Sequence, residues 1–197
     1  MKTRIIKLAI LAVTMIMGIT TVNAQQVYNL SAGSELKVSG TSSLHDWTMK
    51  STNGSGKATF TMAGDQLQGV SALSVKMKTQ SLKSGKSGMD DKAYEALKAK
   101  ENPAITFTLR EMKNIKQTGS AITYIAIGDL TVAGVKCPVT FTGTGKVAGD
   151  KFQFEGKTSF KLTDFKVNPP TAMFGTIKTG DDVTIAFNVT FKNSATL

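Results

Sequence analysis

The sequence is poor in the residues that most often perform chemistry or crosslink a chain. Its 197 residues include one cysteine, one histidine and one tryptophan. A single cysteine excludes an internal disulfide, so stability must come from a hydrophobic core and from backbone pairing. One histidine and one cysteine cannot supply the nitrogen and sulfur ligands of the usual transition-metal sites. We therefore expect no metal site and no cofactor.

The sequence also lacks any cluster of basic residues, although bases outnumber acids by 24 to 14. The lysines are scattered, often at alternate positions of strand-like runs. A nucleic-acid-binding surface would show a basic stripe with interleaved aromatic residues, so we expect no nucleic-acid partner. A solvated basic face is the favoured interpretation, and transient contact with a membrane surface or an anionic headgroup is the alternative. The lysines concerned are Lys76, Lys78, Lys83 and Lys86.

Long apolar runs are confined to the start of the chain. A basic segment at residues 2–7 precedes an apolar run at 8–19, and Val22-Asn23-Ala24 fits the end of a signal-peptidase site. The run of about a dozen residues is too short to span a bilayer comfortably. We therefore expect residues 1–24 to be a cleaved signal peptide. The remaining residues, 25–197, would form a single exported domain, periplasmic or secreted.

Most of the remaining sequence alternates apolar and polar residues with a period of two. The alternation is clearest at 135–142, 152–162 and 183–191. This pattern predicts β-strands with one buried face. Glycine-containing breaks at 53–56, 63–65 and 148–150 predict hairpin turns.

One segment interrupts the strands and predicts a helix at about residues 89–99. Ser87 or Asp90 can cap its start, and Asn102-Pro103 stops it. The apolar face, which should lie on the sheet, consists of Met89, Ala93 and Leu97.

About eight strands with one apolar face each must bury those faces together. Two packed sheets or a closed barrel would both achieve this. A barrel of about eight strands either fills its interior with side chains or holds one small ligand. The period of the pattern does not choose between these alternatives.

Three stretches resemble a known family. They are "NPAITFTLREM" (102–112), "AIGDLTVAGVKCPVTFTGTGKVAG" (126–149) and "FEGKTSFKLTDFKV" (154–167), and they resemble the YceI-like family of exported lipid- and polyisoprenoid-binding proteins. The most specific block is Gly128-Asp129-Leu130-Thr131. The resemblance implies an all-β, lipocalin-like antiparallel barrel whose long apolar interior takes an isoprenoid chain. It implies a binding protein that carries or sequesters this lipid.

The apolar parity of the strands identifies candidate ligand-lining residues. A packed core is the other interpretation of the same pattern, and it corresponds to a structural or stress-related envelope protein without a ligand. No pattern in the sequence reveals the oligomeric state. The candidates are Trp47, Phe107, Val135, Val139, Phe141, Phe154, Phe160 and Phe187.

Residues 167–182 form the longest stretch without clean alternation. We expect either an ordinary surface connection or a mouth loop in which Met173 and Phe174 cover the opening of the barrel.

The stretch "GTSSLHDW" (40–47) gathers the only histidine and the only tryptophan beside two serines and Asp46. In an extended strand, His45 and Asp46 point to opposite faces, so they cannot act as base and orienting acid. We therefore expect no catalytic site here and no enzyme. A structural role for His45, with Trp47 packed inward or at the rim, is favoured over a polar contact to a ligand headgroup.

Overall fold

The structure, a computed structural model, describes residues 24–194. The predicted signal peptide therefore lies outside the described residues, apart from its last residue. The described residues contain eleven strands and one α-helix. These are β1 Ala24–Leu30, β2 Glu35–Ser42, β3 Trp47–Ser51, β4 Gly54–Ala63, β5 Gln66–Lys78, α1 Ser87–Ala96, β6 Ala104–Thr118, β7 Ala121–Val132, β8 Val135–Ala148, β9 Lys151–Lys161, β10 Thr171–Ala172 and β11 Ile177–Asn193.

Eight antiparallel strands close into a ring in the order β1, β4, β5, β6, β7, β8, β9, β11 and back to β1. The predicted all-β barrel is thus confirmed, and the two-sheet alternative is excluded. Closure pairs the edges of the sheet, which would otherwise expose unpaired backbone groups.

Strand β11 holds the barrel together because it pairs along both of its edges. One edge pairs with β9 from residue 182 to 192. The other edge pairs first with β2 at 179–188 and then with β1 at 191–193. The β2–β3 hairpin therefore continues the wall beyond the point where β1 and β4 complete the ring.

The start of β11 differs from the pattern in the sequence, which becomes regular only at Val183. The strand begins at Ile177, and a register shift lies between Thr179 and Val183. A bulge hides the strand from a search for alternation because it breaks the period of two. The side chain of Asp181 in this bulge accepts hydrogen bonds from the backbone N–H (2.9 Å) and hydroxyl (2.7 Å) of Thr163.

The predicted turns at 63–65 and 148–150 are present, but the break at 53–56 is mostly strand. Gly54 and Gly56 belong to β4. A Cβ atom on Gly56 would lie 2.7 Å from the carbonyl oxygen of Ser74, so this glycine allows close approach of two strands.

The helix α1 spans Ser87–Ala96, slightly earlier than the sequence predicts. It ends before Lys98, which adopts a left-handed φ of 49°. Neither predicted cap is used, because Lys86 is the N-cap and makes no side-chain cap bond. The Asp90 carboxylate instead accepts two 2.7 Å hydrogen bonds from Ser84, one from its backbone N–H and one from its hydroxyl.

Aromatic side chains fill one end of the barrel. The ring of Phe60, fully buried, lies 4.6 Å from that of Tyr28 and 4.8 Å from that of Phe152, measured between centroids. Phe154 and Phe191 lie within 5.9 Å of it. Tilted and edge-to-face pairs of this kind add to the stabilisation from burial. We call these five residues the aromatic cluster.

Within residues 24–194, α1 is too short and too polar to be a membrane-spanning helix, and no other helix there qualifies. The same residues contain no grouping of three or more metal-ligating side chains.

Candidate functional site

The barrel encloses an apolar cavity of about 110 Å³ beside the aromatic cluster, which we call the inner cavity. Four of the predicted candidates line it: Phe107, Phe141, Phe154 and Phe187. The Phe141 ring stands edge-on to both Phe107 (5.4 Å between centroids) and Phe187 (5.2 Å). Aliphatic side chains complete the lining, among them Leu36, Val75, Leu109, Leu130, Ile185 and Val189.

Three of the hydroxyl groups in this lining, those of Tyr124, Ser34 and Ser51, hydrogen-bond to the protein itself. Tyr124 donates to the carbonyl oxygen of Glu155 (3.0 Å), and Ser34 donates to that of Ser31 (2.8 Å). Burial, together with the nearby charge of Glu155, raises the pKa of the Tyr124 phenol, so this group stays neutral at physiological pH. The inner cavity therefore presents mainly hydrocarbon surface to an occupant, with Glu35 and Thr106 as its other polar residues.

Glycine in β8 creates the room for Tyr124. A Cβ atom on Gly143 would lie 2.1 Å from the carbonyl oxygen of Glu155 and 2.6 Å from the Tyr124 hydroxyl. The tyrosine thus reaches across β8 to β9, and the "GTG" of the family-like stretch has a steric reason.

A second cavity, of about 290 Å³, lies where α1 covers the β2–β3 hairpin; we call it the end cavity. The hairpin contributes Val38, Trp47 and Met49 to its wall. The predicted apolar face of α1 contributes Met89, Ala93 and Leu97, and the segment before β11 contributes Pro170, Ala172 and Ile177.

The two cavities follow one another along the barrel. On β2, Leu36 lines the inner cavity, and Val38, the next residue on the same face, lines the end cavity. On β3, Ser51 lines the inner cavity and Met49 lines the end cavity. Successive positions on one face of a strand lie roughly 7 Å apart, so the cavities are near neighbours.

The remaining predicted candidates have other places in the fold. Trp47 lines the end cavity, whereas Val135, Val139 and Phe160 line neither cavity. Val139 is buried in the core, and the Phe160 ring packs against Phe165 at 4.8 Å between centroids. The alternation of a strand shows on which face a side chain lies but not how far along the barrel it lies. It therefore could not separate the residues that line a cavity from those that do not.

Met173 and Phe174, the predicted mouth-loop residues, are 69% and 109% exposed, respectively, and neither belongs to the lining of either cavity. Ala172 and Ile177 on either side of them line the end cavity instead. The segment therefore contributes to the wall of the end cavity, and Met173 and Phe174 lie outside that wall.

The polar residues of "GTSSLHDW" make local contacts. His45 is exposed, and its Nδ1 lies 2.7 Å from the backbone carbonyl oxygen of Asp46. The Ser42 hydroxyl donates to the carbonyl oxygen of His45 (2.7 Å). These contacts close the β2–β3 turn and do not join a nucleophile, a base and an acid.

Trp47 is held in the wall of the end cavity by two contacts. Its Nε1 donates to the carbonyl oxygen of Thr41 (2.9 Å). Its ring lies over Gly40, where a Cβ atom would come within 2.5 Å of the ring.

The Gly-Asp-Leu-Thr block lies within β7 and pairs with β6. The Arg110 guanidinium contacts both carboxylate oxygens of Asp129, with Nε to Oδ2 at 2.9 Å and Nη2 to Oδ1 at 2.6 Å. Gly128 makes room for Phe107, because a Cβ atom there would lie 2.5 Å from that ring. The most specific block of the sequence thus positions Phe107, and its Leu130 lines the inner cavity as well.

Comparison with known proteins agrees with this architecture. The model of the YceI-like domain family matches residues 22–191. The chain belongs to the YceI-like family. No curated protein matches it in sequence.

Solved structures of other proteins share the fold. The chain is similar to Burkholderia cenocepacia BcnA, with 21% identity, a TM-score of 0.63, and coverage of 81% of this chain and 96% of that one. It is similar to a polyisoprenoid binding domain from Saccharophagus degradans, with 11% identity, a TM-score of 0.66, and coverage of 85% and 99%. A Campylobacter jejuni YCEI protein shows 22% identity, a TM-score of 0.53, and coverage of 72% and 81%.

Proposed function

We propose that this protein is exported and holds an apolar, isoprenoid-like lipid inside its barrel, which it carries or sequesters without covalent chemistry. The observation that carries the proposal is the succession of two apolar cavities, one inside the closed barrel and one under α1 at its end. The name of the Saccharophagus degradans domain, which binds polyisoprenoid, supports the same ligand class.

The sizes of the cavities limit how such a lipid can bind. The inner cavity, at about 110 Å³, is smaller than the ~150 Å³ engineered cavity that accommodates benzene. The end cavity, at about 290 Å³, is close to the lower limit for ligand pockets, roughly 300 Å³. A chain of several isoprene units therefore needs both cavities, and the side chains between them must move when it enters.

The first experiment tests occupancy. The chain from Gln25 is purified, its native mass is recorded, and bound lipids are extracted and identified. We expect an isoprenoid near one per chain, or uptake of an offered long-chain isoprenol. A ligand-free mass with no uptake would contradict the proposal and favour the packed structural barrel.

The single tryptophan makes a second readout possible. Because Trp47 lines the end cavity, its fluorescence should shift to shorter wavelength as a lipid chain displaces water there. An exposed-site variant, Lys37→Ala, which lines neither cavity, serves as control and should retain lipid as the wild type does. Loss of a catalytic turnover in His45→Ala would instead revive an enzymatic interpretation.

Export requires its own test. Expression of the full chain followed by N-terminal sequencing should yield Gln25 as the first residue of the exported protein. Exported protein that still begins at Met1 would contradict the signal-peptide proposal.

A further inference from the structure

Large apolar side chains are strongly exposed at one place near the end cavity. Leu44 is 66% exposed, Met173 69% and Phe174 109%. We call these three residues the apolar tip. Val27 on β1, 47% exposed, is the other large exposed apolar residue among those described and lies apart from the tip.

Hydrogen bonds hold the two loops of the apolar tip together. The backbone N–H of Ser43 donates to the carbonyl oxygen of Lys178 (2.9 Å). The backbone N–H of Lys178 donates in turn to the Ser43 hydroxyl (3.0 Å). Leu44 follows Ser43 directly, so the fold brings it beside the turn that carries Met173 and Phe174.

Neither burial nor backbone conformation accounts for the two large apolar residues at this turn. Met173 and Phe174 have left-handed φ values of 51° and 55°, respectively. This conformation disfavours bulky side chains and suits glycine or asparagine. The chain therefore places two large apolar groups in a strained backbone where they are exposed to water.

The surroundings of the apolar tip match an anionic lipid surface. Leu44 also lines the end cavity, as do Ala172 and Ile177, which lie on either side of Met173 and Phe174 in the chain. The apolar tip and the end cavity therefore share one rim. Two lysines are well placed there: Lys178 follows the turn, and Lys86 belongs to the cavity rim. The exposed Asp46 in the same loop is a local anion, but the chain from Gln25 still has 21 Lys and Arg against 14 Asp and Glu, because only three of the 24 cations lie in residues 1–24.

We propose that the apolar tip inserts into the interfacial region of an anionic bilayer and so presents the end cavity to the membrane. Leu44, Met173 and Phe174 enter the boundary between headgroups and acyl chains, and the lysines contact anionic headgroups. The role of this docking in lipid exchange rests on the proposed function, but docking itself does not.

Flotation with vesicles tests the proposal. The chain from Gln25 is used, because the apolar run at 8–19 would itself bind lipid. Vesicles are made of phosphatidylcholine alone or of phosphatidylcholine with phosphatidylglycerol. We expect the wild type to float with the anionic vesicles and less with the neutral ones, and added salt should weaken the binding.

The test variant combines Met173→Asn and Phe174→Asn. Asparagine tolerates a left-handed φ, so this variant should fold at least as well as the wild type. Losing the interfacial burial of two large apolar side chains should lower the partition coefficient at least tenfold. The matched control is Val27→Thr, which removes an exposed apolar side chain away from the tip and should float as the wild type does.

Three outcomes would overturn the proposal. The wild type fails to float with anionic vesicles, the double variant floats as well as the wild type, or the Val27→Thr control loses binding equally. Light scattering adds a further arm: a dimer abolished by the double variant, without flotation, would assign the apolar tip to a second copy of the chain.

Docking and lipid binding can fail separately. Retention of an isoprenol loaded in detergent, without vesicles, reports on the cavities and should be unchanged in the double variant. Intact flotation with no retained isoprenol would contradict the proposed function and leave docking standing. Retained isoprenol without flotation would contradict docking and leave the proposed function standing.

Discussion

The two ends of the barrel interior are built differently. Around Phe60, five aromatic rings interlock and leave little space. At the other end, a helix and a hairpin enclose about 290 Å³, and three large apolar residues beyond them are exposed to water. Dense packing fixes a single arrangement, whereas a loosely covered cavity can admit an occupant. The contrast shows that densely packed aromatic rings and a helix-covered cavity occur in the same barrel.

The difference between the two ends is tested most directly by removing one aromatic ring from each. Phe60→Ala leaves a cavity at a fully buried position and should lower the free energy of unfolding by about 4 kcal/mol. Phe174→Ala, at a fully exposed position, should change it by less than about 0.5 kcal/mol. Urea unfolding followed by circular dichroism measures both. Equal losses would show that the two ends contribute alike.

A glycine pair tests whether close strand approach in the barrel wall is needed. Gly143→Ala forces a methyl group against the carbonyl oxygen of Glu155 and the Tyr124 hydroxyl, and should destabilise the fold by about 3 kcal/mol. Gly69→Ala is the control, because its Cβ atom would lie 4.0 Å from the nearest atom, the Cβ of Thr61. Thermal unfolding should separate the two variants clearly, and similar melting temperatures would contradict the steric account.

Asp90 tests how α1 is held at the helix end. Burial by itself would raise the pKa of this carboxyl, but the two hydrogen bonds from Ser84 and the charge of Lys83 outweigh it, so the pKa is lowered. Asp90→Ala should therefore cost about 2 kcal/mol at neutral pH, as expected for hydrogen bonds to a charged group. The adjacent, exposed Asp91→Ala is the control.

The pH dependence of this effect has a defined sign. A lowered pKa in the folded state makes the contribution of Asp90 fully present above the ordinary value of 3.8. The contribution is lost as the pH falls through the folded-state value, below 3.8. The stability difference between wild type and Asp90→Ala should therefore shrink under acid. A difference that persists or grows there would contradict the assignment.

The smallest effect on stability is expected from filling each cavity in turn. Val75→Phe projects into the inner cavity and Ala93→Phe into the end cavity, each at about 1 kcal/mol or less. If a lipid chain spans both cavities, each variant should retain severalfold less isoprenol than the wild type, as measured by extraction. Only Ala93→Phe should also alter the Trp47 emission. Full retention by both would argue against an occupied interior.

Part of the site was predictable from the sequence because strand parity is a local property. Phe107, Phe141, Phe154 and Phe187 alternate correctly in their strands, and all four line the inner cavity. Val135, Val139 and Phe160 alternate equally well but line neither cavity, because their position along the barrel depends on strand register. Register is set by pairing between distant segments, which alternation does not report.

The segment before β11 was the least predictable region. Its backbone depends on a bulge at 180–182 and on hydrogen bonds between Ser43 and Lys178, residues far apart in the chain. The sequence marked residues 167–182 as irregular but could not show which way Met173 and Phe174 face.

The class of the protein follows from its sequence alone: alternation specifies strands, one helix interrupts them, and the Gly-Asp-Leu-Thr block indicates the YceI-like family. Ring closure, the two neighbouring cavities and the exposure of Phe174 emerge only in the folded chain. The two sets of features differ because the interactions behind them act over different distances along the chain. Side-chain period and turn chemistry act over a few residues, whereas closure, cavity shape and exposure arise where β11 meets β1, β2 and β9.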